Sequence, residues 1–246
     1  MKQLFNFINK KSKKMKKTNL FFVLLLSVSI IFSGCKSLNN AAKGGILGGT
    51  AGAAIGAGIG ALIGKDGKSA AVGAAIGGAV GTTAGVIIGK KMDKAAEEAA
   101  KIENAKVETI EDINGLKAVK VTFDSGILFD FNSSALRQEA KDALTKFGKI
   151  LVENPTMDLA VLGHTDNVGS LEANKKVSLA RAQSVADYLV AQGATKSQMK
   201  TVEGRDYSMP VASNDTPEGR QLNRRVEVYM YASEAMIKDA ETQAGK

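Results

Sequence analysis

Cysteine and histidine are almost missing: Cys35 is the only thiol and His164 the only imidazole in 246 residues. One cysteine closes no internal disulfide, and one of each supplies no zinc-ligand spacing. A lone histidine at the end of an apolar run reads as a structural hydrogen-bonder. Glycoside hydrolysis would need two carboxylates in opposed environments. Asp124 and Asp130 are the pair to consider, and each reads as turn or loop chemistry. The expectation is a protein without metal, cofactor or catalytic site.

Acidic residues are missing before Cys35, where seven lysines stand. Those lysines supply seven of the eight net positive charges, so the basic balance belongs to the first 34 residues and gives little support to a nucleic-acid partner. After them comes "LFFVLLLSVSIIF" (Leu20 to Phe32), a 13-residue apolar run too short for a comfortable membrane span. "FSGC" follows and resembles the lipobox of bacterial lipoproteins. That likeness implies a signal peptide over 1–34, acylation of Cys35 with chains such as palmitate, and a linker over 35–43. Several acyl chains anchor stably, since each buried methylene contributes about 0.8 kcal/mol. Lys36 follows the cysteine where an Asp would mark inner-membrane retention, so the same likeness implies the outer membrane.

Charge is also missing from Gly44 to Gly64. Glycines fall there at 44, 48, 52, 56, 60 and 64, and again at 73, 77, 81, 85 and 89. A step of four lays each set along one side of a helix and leaves a smooth face for a close neighbour. "KDGK" (Lys65 to Lys68) reads as the turn between them. The expectation over 44–90 is a helical hairpin zipped glycine to glycine, similar to the glycine-zipper segments of some envelope lipoproteins. Three roles stay open: a segment in or on the membrane, a homo-oligomerisation device, or a compact spacer. No strand precedes these glycines and no Gly-Lys-Ser/Thr closes them, which argues against a phosphate loop. Residues 91–106, rich in Ala, Glu and Lys, read as a solvated helical tether.

Residues 107–232 carry the folded domain, and 233–246 read as a polar tail. Two strand-like runs flank Asn114-Gly115, a two-residue hairpin signal, with Val119, Val121 and Phe123 alternating against Lys120 and Thr122. "GILFDFN" (Gly126 to Asn132) reads as a short strand or extended loop. Ser133 or Ser134 then caps a helix to about Glu153. "MDLAVLGH" is a strand, and a second helix runs from near Leu171 to Gln192 with Gly193 as its stop. A strand near Lys200 to Glu203, a turn-rich loop and the strand "RRVEVYMY" complete the order. This is α/β architecture, one sheet with helices packed on it.

On the second helix, 100° per residue places Leu171, Ser178, Ala182, Val185 and Leu189 on the buried stripe, with Asn174 and Arg181 along one border. A border arginine normally directs its head to water. Asp166, however, stands where a strand feeds a helix, the usual place for ligand sites in α/β sheets. Arg224 and Arg225 open the last strand, where only one can point inward.

"GHTDNVG", "N..VSLARA..V...L", "FDFNSS" and "N.T..GR..NRRVEV" together resemble the peptidoglycan-binding domain of the OmpA C-terminal family, over roughly Val119 to Met230. That resemblance implies an OmpA-like sandwich whose ligand is the stem peptide of peptidoglycan, held through diaminopimelate. By residue matching, Asp166 takes the ligand ammonium and Arg181 its carboxylate. Asn174 orients the ligand, Asn132 lines the pocket and Arg224 is the first Arg of the motif. The expected function is a lipid-anchored tether between outer membrane and wall, facing the periplasm. The alternative is an oligomeric membrane assembly or channel built on the glycine hairpin. An ion path would want an acidic residue inside an apolar span, which Gly44 to Gly64 lacks.

Overall fold

A computed structural model describes residues 82–112, 115–130 and 133–245. The elements run α1 (Thr82–Ala99), β1 (Ala105–Glu111), β2 (Lys117–Asp124), α2 (Ser125–Leu128), α3 (Gln138–Glu153) and β3 (Met157–Gly163). There follow α4 (Leu171–Ala191), β4 (Met199–Gly204), α5 (Pro217–Asn223), β5 (Arg225–Ala232) and α6 (Glu234–Ala244). Cys35, the glycines from Gly44 to Gly81, Asn114 and Asn132 lie outside the described residues.

The five strands form one sheet in the order β1-β2-β5-β3-β4. Only β3 and β4 are parallel, and α4 makes the crossover between them. Alternation decides what each strand buries: Val119, Val121 and Phe123 of β2 face the helices with Val226, Val228 and Met230 of β5. Against them pack Leu144, Phe147 and Leu151 of α3 and Val185 and Leu189 of α4. Phe123 and Phe147 meet edge to face at 6.0 Å, a favoured aromatic geometry. The other sheet face holds a smaller cluster of Ala118, Ala160, Leu162, Tyr229 and Tyr231.

Several elements depart from expectation, each for a local reason. The β1–β2 connection is longer than two residues: Asp112 donates to the Leu116 carbonyl at 2.8 Å, enclosing 113–115 with Gly115 at φ 70°. "GILFDFN" opens as a helical turn because the Asp124 carboxylate accepts from the Gly126 N–H at 2.6 Å, an N-cap that starts α2. Ser133 does not cap α3; its hydroxyl accepts from Ala135 N–H instead, and the helix begins at Gln138. The turn-rich loop before β5 contains α5, capped by Thr216 with Pro217 in its first turn.

Both flanks of the domain are larger than their polarity implied. Helix α1 runs across the expected boundary at residue 90, and Ala84, Ile88, Met92, Ala95 and Ala99 are buried in the main core. The charged residues that suggested a solvated tether occupy its outer side, and Asp93 pins it to Lys117 of β2 at 2.7 Å. The last two glycines of the ladder, Gly85 and Gly89, therefore belong to a helix of the folded domain. Residues 234–244, expected as a polar tail, form α6, capped by Ser233, with Met236, Ile237 and Ala240 buried. No helix among the described residues is long and apolar enough to cross a membrane.

Candidate functional site

Two glycines set the distance between α4 and the strand ends beneath it. A Cβ on Gly163, the last residue of β3, would sit 2.0 Å from the Ser178 carbonyl oxygen. One on Gly204, the last residue of β4, would sit 2.5 Å from the Leu179 nitrogen. No side chain fits at either position, so helix and sheet touch backbone to backbone. Leu171 lies two turns before Ser178, about 10 Å along the helix. It is 43% exposed, not buried as the stripe implied.

This close seating puts Asn174 and Arg181 over the loop that leaves β3. The loop is held from several sides. His164 N–H donates to Arg225 O at 2.9 Å and Thr165 N–H to Asp206 O at 2.9 Å. Asp206 N–H in turn donates to the Ser178 hydroxyl at 3.2 Å. Asp166 accepts from Val168 N–H through Oδ1 at 3.0 Å, and the Asn174 side-chain amide donates to Val168 O, also at 3.0 Å. Asn174 thus fixes the loop that presents Asp166, while Val168 itself points into water.

Asp166 also has a cation of its own within the protein: Arg224 Nη1 lies 2.6 Å from its Oδ2. Asn223 prepares that reach: fully buried, it accepts from Val211 and Ala212 N–H and donates to Ala212 O and the Asn214 side chain. The Arg224 carbonyl is tied to Ser125 N–H at 2.9 Å.

Arg181 is only 7% exposed. Its Nε donates to Ser133 O at 3.1 Å and its guanidinium lies 5.2 Å from the Phe129 ring centre, within cation–π range. Among the described residues no carboxylate comes within ion-pair distance of it. Burial lowers its pKa first and the Arg224 charge second, with Asp166 opposing them. The three charges therefore act on one another, two positive against one negative. Asn132 is not described, although its neighbour Ser133 supplies the carbonyl that Arg181 holds.

Arg225 turns the opposite way, as one of the two arginines had to. It is buried against Glu227 at 2.8 Å, and Tyr229 O–H donates to the same carboxylate at 2.6 Å. His164 Nε2 lies 3.2 Å from Glu227. Burial depresses the His164 pKa more than Glu227 lifts it, so the imidazole is neutral at neutral pH. This ladder ties β5 to the β3 end behind the cleft. Asp130 bonds Arg137 at 3.2 Å in the neighbouring loop, the holding role expected of it. No group of three or more His, Cys, Asp or Glu among the described residues could hold a metal ion.

Sequence reading missed Phe129 under Arg181 and the loop-organising Asn223. Both lay inside quoted motifs, and Asn223 was findable as a buried amide between a helix end and a strand.

Comparison with known proteins places these features in a family. Residues 128–224 match the model described as OmpA family, and residues 15–93 match the YMGG-like Gly-zipper. The chain is 38% identical over 104 residues to Probable lipoprotein YiaD of Escherichia coli (strain K12), 42% of this chain and 47% of that protein. It is 38% identical over 111 residues to Peptidoglycan-binding protein ArfA of Mycobacterium bovis, 45% of this chain and 34% of that one. The match thus spans half or less of these relatives' own length. A solved MotB-like protein from Desulfovibrio vulgaris has the same fold, with TM-score 0.52 at 21% identity over 61% of this chain and 96% of that one. The chain carries an OmpA-family domain over residues 128–224, preceded by a YMGG-like glycine-zipper segment over residues 15–93.

Proposed function

We propose that this domain binds the peptidoglycan stem peptide without covalent chemistry, gripping the free end of a diaminopimelate residue. The observation that carries the reading is Arg181. A guanidinium only 7% exposed and without a carboxylate at ion-pair distance among the described residues is costly to hold, and a protein retains such an arrangement where a ligand completes it. The free end of diaminopimelate bears a carboxylate and an ammonium on one carbon. The planar fork of Arg181 suits the carboxylate, and the ammonium has Asp166 beside it. Asn174 acts by fixing the loop, and Arg224 by holding Asp166 in place. Asn132 keeps the pocket-lining role that the family motif gives it. The name of the ArfA relative agrees with this ligand class.

Lipid on Cys35 and wall on the domain make a tether between outer membrane and peptidoglycan, the domain facing the periplasm. Binding of one stem is modest, because ligand and site must both lose water. Many copies on a polymeric wall supply avidity. The channel alternative gains no support from α1, where the end of the glycine ladder is packed into the domain. The test is co-sedimentation with purified sacculi. Asp166→Ala and Arg181→Ala each leave a folded, lipidated protein that stays in the supernatant, and free diaminopimelate releases the wild type. Wild-type sedimentation by the double variant refutes the site. Cys35→Ala should move the protein from the membrane to the soluble fraction, and retention there would refute the anchor.

A further inference from the structure

The two charged ends of the proposed ligand do not meet equivalent partners. Asp166 already has a cation and a backbone donor: Arg224 on Oδ2 at 2.6 Å and the Val168 N–H on Oδ1 at 3.0 Å. An ionised carboxylate offers about four lone-pair positions, so two remain for a ligand ammonium. That ammonium arrives as a second cation on an anion already neutralised. Arg181 is the reverse case. Its Nε is used by Ser133 O, but no hydrogen bond from either terminal nitrogen to a described residue is present. It has an aromatic face below it and a like charge, Arg224, near it.

Building on the stem-peptide reading, we infer that the ligand carboxylate, not its ammonium, decides which stems this site accepts. With Asp166 against Arg181 and Arg224 the cleft carries one net positive charge. An ionised carboxylate brings it to neutrality and fills the empty fork. A carboxamide brings no charge and keeps one acceptor oxygen, but sets its NH2 against the second donor of the fork. A lysine side chain adds a third cation and leaves the fork empty. Losing the amine removes only an addition to a pair that Arg224 has already completed. The cell can therefore release this protein by amidating the remote carboxylate of diaminopimelate, whereas engaging the remote amine changes affinity little on electrostatic grounds.

The experiment is titration calorimetry on the full chain in detergent with four tetrapeptides, L-Ala-γ-D-Glu-X-D-Ala. X is meso-diaminopimelate, its remote carboxamide, 2-aminopimelate (no remote amine) or lysine (no remote carboxylate). The carboxamide and lysine peptides should bind at least about tenfold more weakly than the diaminopimelate peptide, the effect of leaving a buried charge unpaired. The 2-aminopimelate peptide should stay within about threefold, because Asp166 keeps its pairing with the part-exposed Arg224 whether or not the amine is present. Arg224→Gln supplies the second arm. It strips Asp166 of its cation, so the amine becomes the counter-ion and its removal should then cost about tenfold. A 2-aminopimelate loss equal to the lysine loss in wild type overturns the inference, as does an amine dependence that Arg224→Gln leaves unchanged. Failure of the diaminopimelate peptide itself to bind overturns the stem-peptide reading, and is distinguishable because no ranking exists.

Discussion

Replacing Arg181 by Met separates a ligand arginine from a structural one. Met has similar length and no charge, so the change removes the cost of holding a guanidinium at 7% exposure. An unpaired buried ion carries an effective penalty of about 4 kcal/mol after relaxation. Two favourable contacts are lost with it: the Nε bond to Ser133 O at 3.1 Å and the Phe129 contact at 5.2 Å. Together these contribute about 2 to 3 kcal/mol. The balance leaves Arg181→Met more stable by about 1 kcal/mol, or about 2 to 4 °C in Tm for a chain of this size. Arg225→Met is the control. It leaves Glu227 buried without its cation partner at 2.8 Å, and breaking a buried pair costs about 3 to 5 kcal/mol. Calorimetric melting at neutral pH should move the two variants in opposite directions, with wall binding lost in the more stable one. A fall in Tm for Arg181→Met approaching that of Arg225→Met would refute the reasoning, since Arg181 would then be a structural tie.

Two further changes test other parts of the structure. Ile88→Ala in α1 should cost about 2 to 4 kcal/mol in urea unfolding, because Ile88 is wholly buried in the main core; a residue of a glycine hairpin separate from the domain would show no change. Asp158 has its pKa raised to about 6, burial outweighing Lys200 at 3.7 Å. A raised carboxyl pKa means the folded state prefers the protonated form. Its penalty is therefore full above about pH 6 and vanishes below the unfolded value near 4. Asp158→Asn should be more stable than wild type by about 1 kcal/mol at neutral pH, the full conversion being discounted for partial solvation, and equal to it near pH 4. A pH-independent difference between the two proteins would contradict this.

Much of the domain was legible because alternation and helical spacing are strong in its centre. Val119 to Phe123, "MDLAVLG" and the second helix from Leu171 to Gly193 fell where expected, since a half-buried strand or an amphipathic helix writes its period into the chain. The ends were not legible. In the part of α1 after residue 90 only Met92 is large among the buried residues, beside the small Ala95 and Ala99, and in α6 only Met236 and Ile237 are large, so composition read both stretches as polar. Ser133 failed as a cap because its hydroxyl found Ala135 N–H three residues before the helix starts at Gln138. In the site, Asp166, Asn174 and Arg224 meet at one loop, and Arg181 stands within electrostatic reach of it. Who pairs with whom was not readable. That Arg224 pairs with Asp166 follows from where the chain enters β5, which the bonds of Asn223 to 211–214 hold.

The central claim is that the terminal nitrogens of Arg181, which bond no described residue, take up a carboxylate from the wall. The direct measurement is a crystal structure of the protein with the meso-diaminopimelate tetrapeptide bound. The account predicts both carboxylate oxygens within hydrogen-bond distance of the Arg181 guanidinium, with Arg224 still on Asp166. A ligand carboxylate seated elsewhere, with Arg181 as bare as it is now, would contradict it.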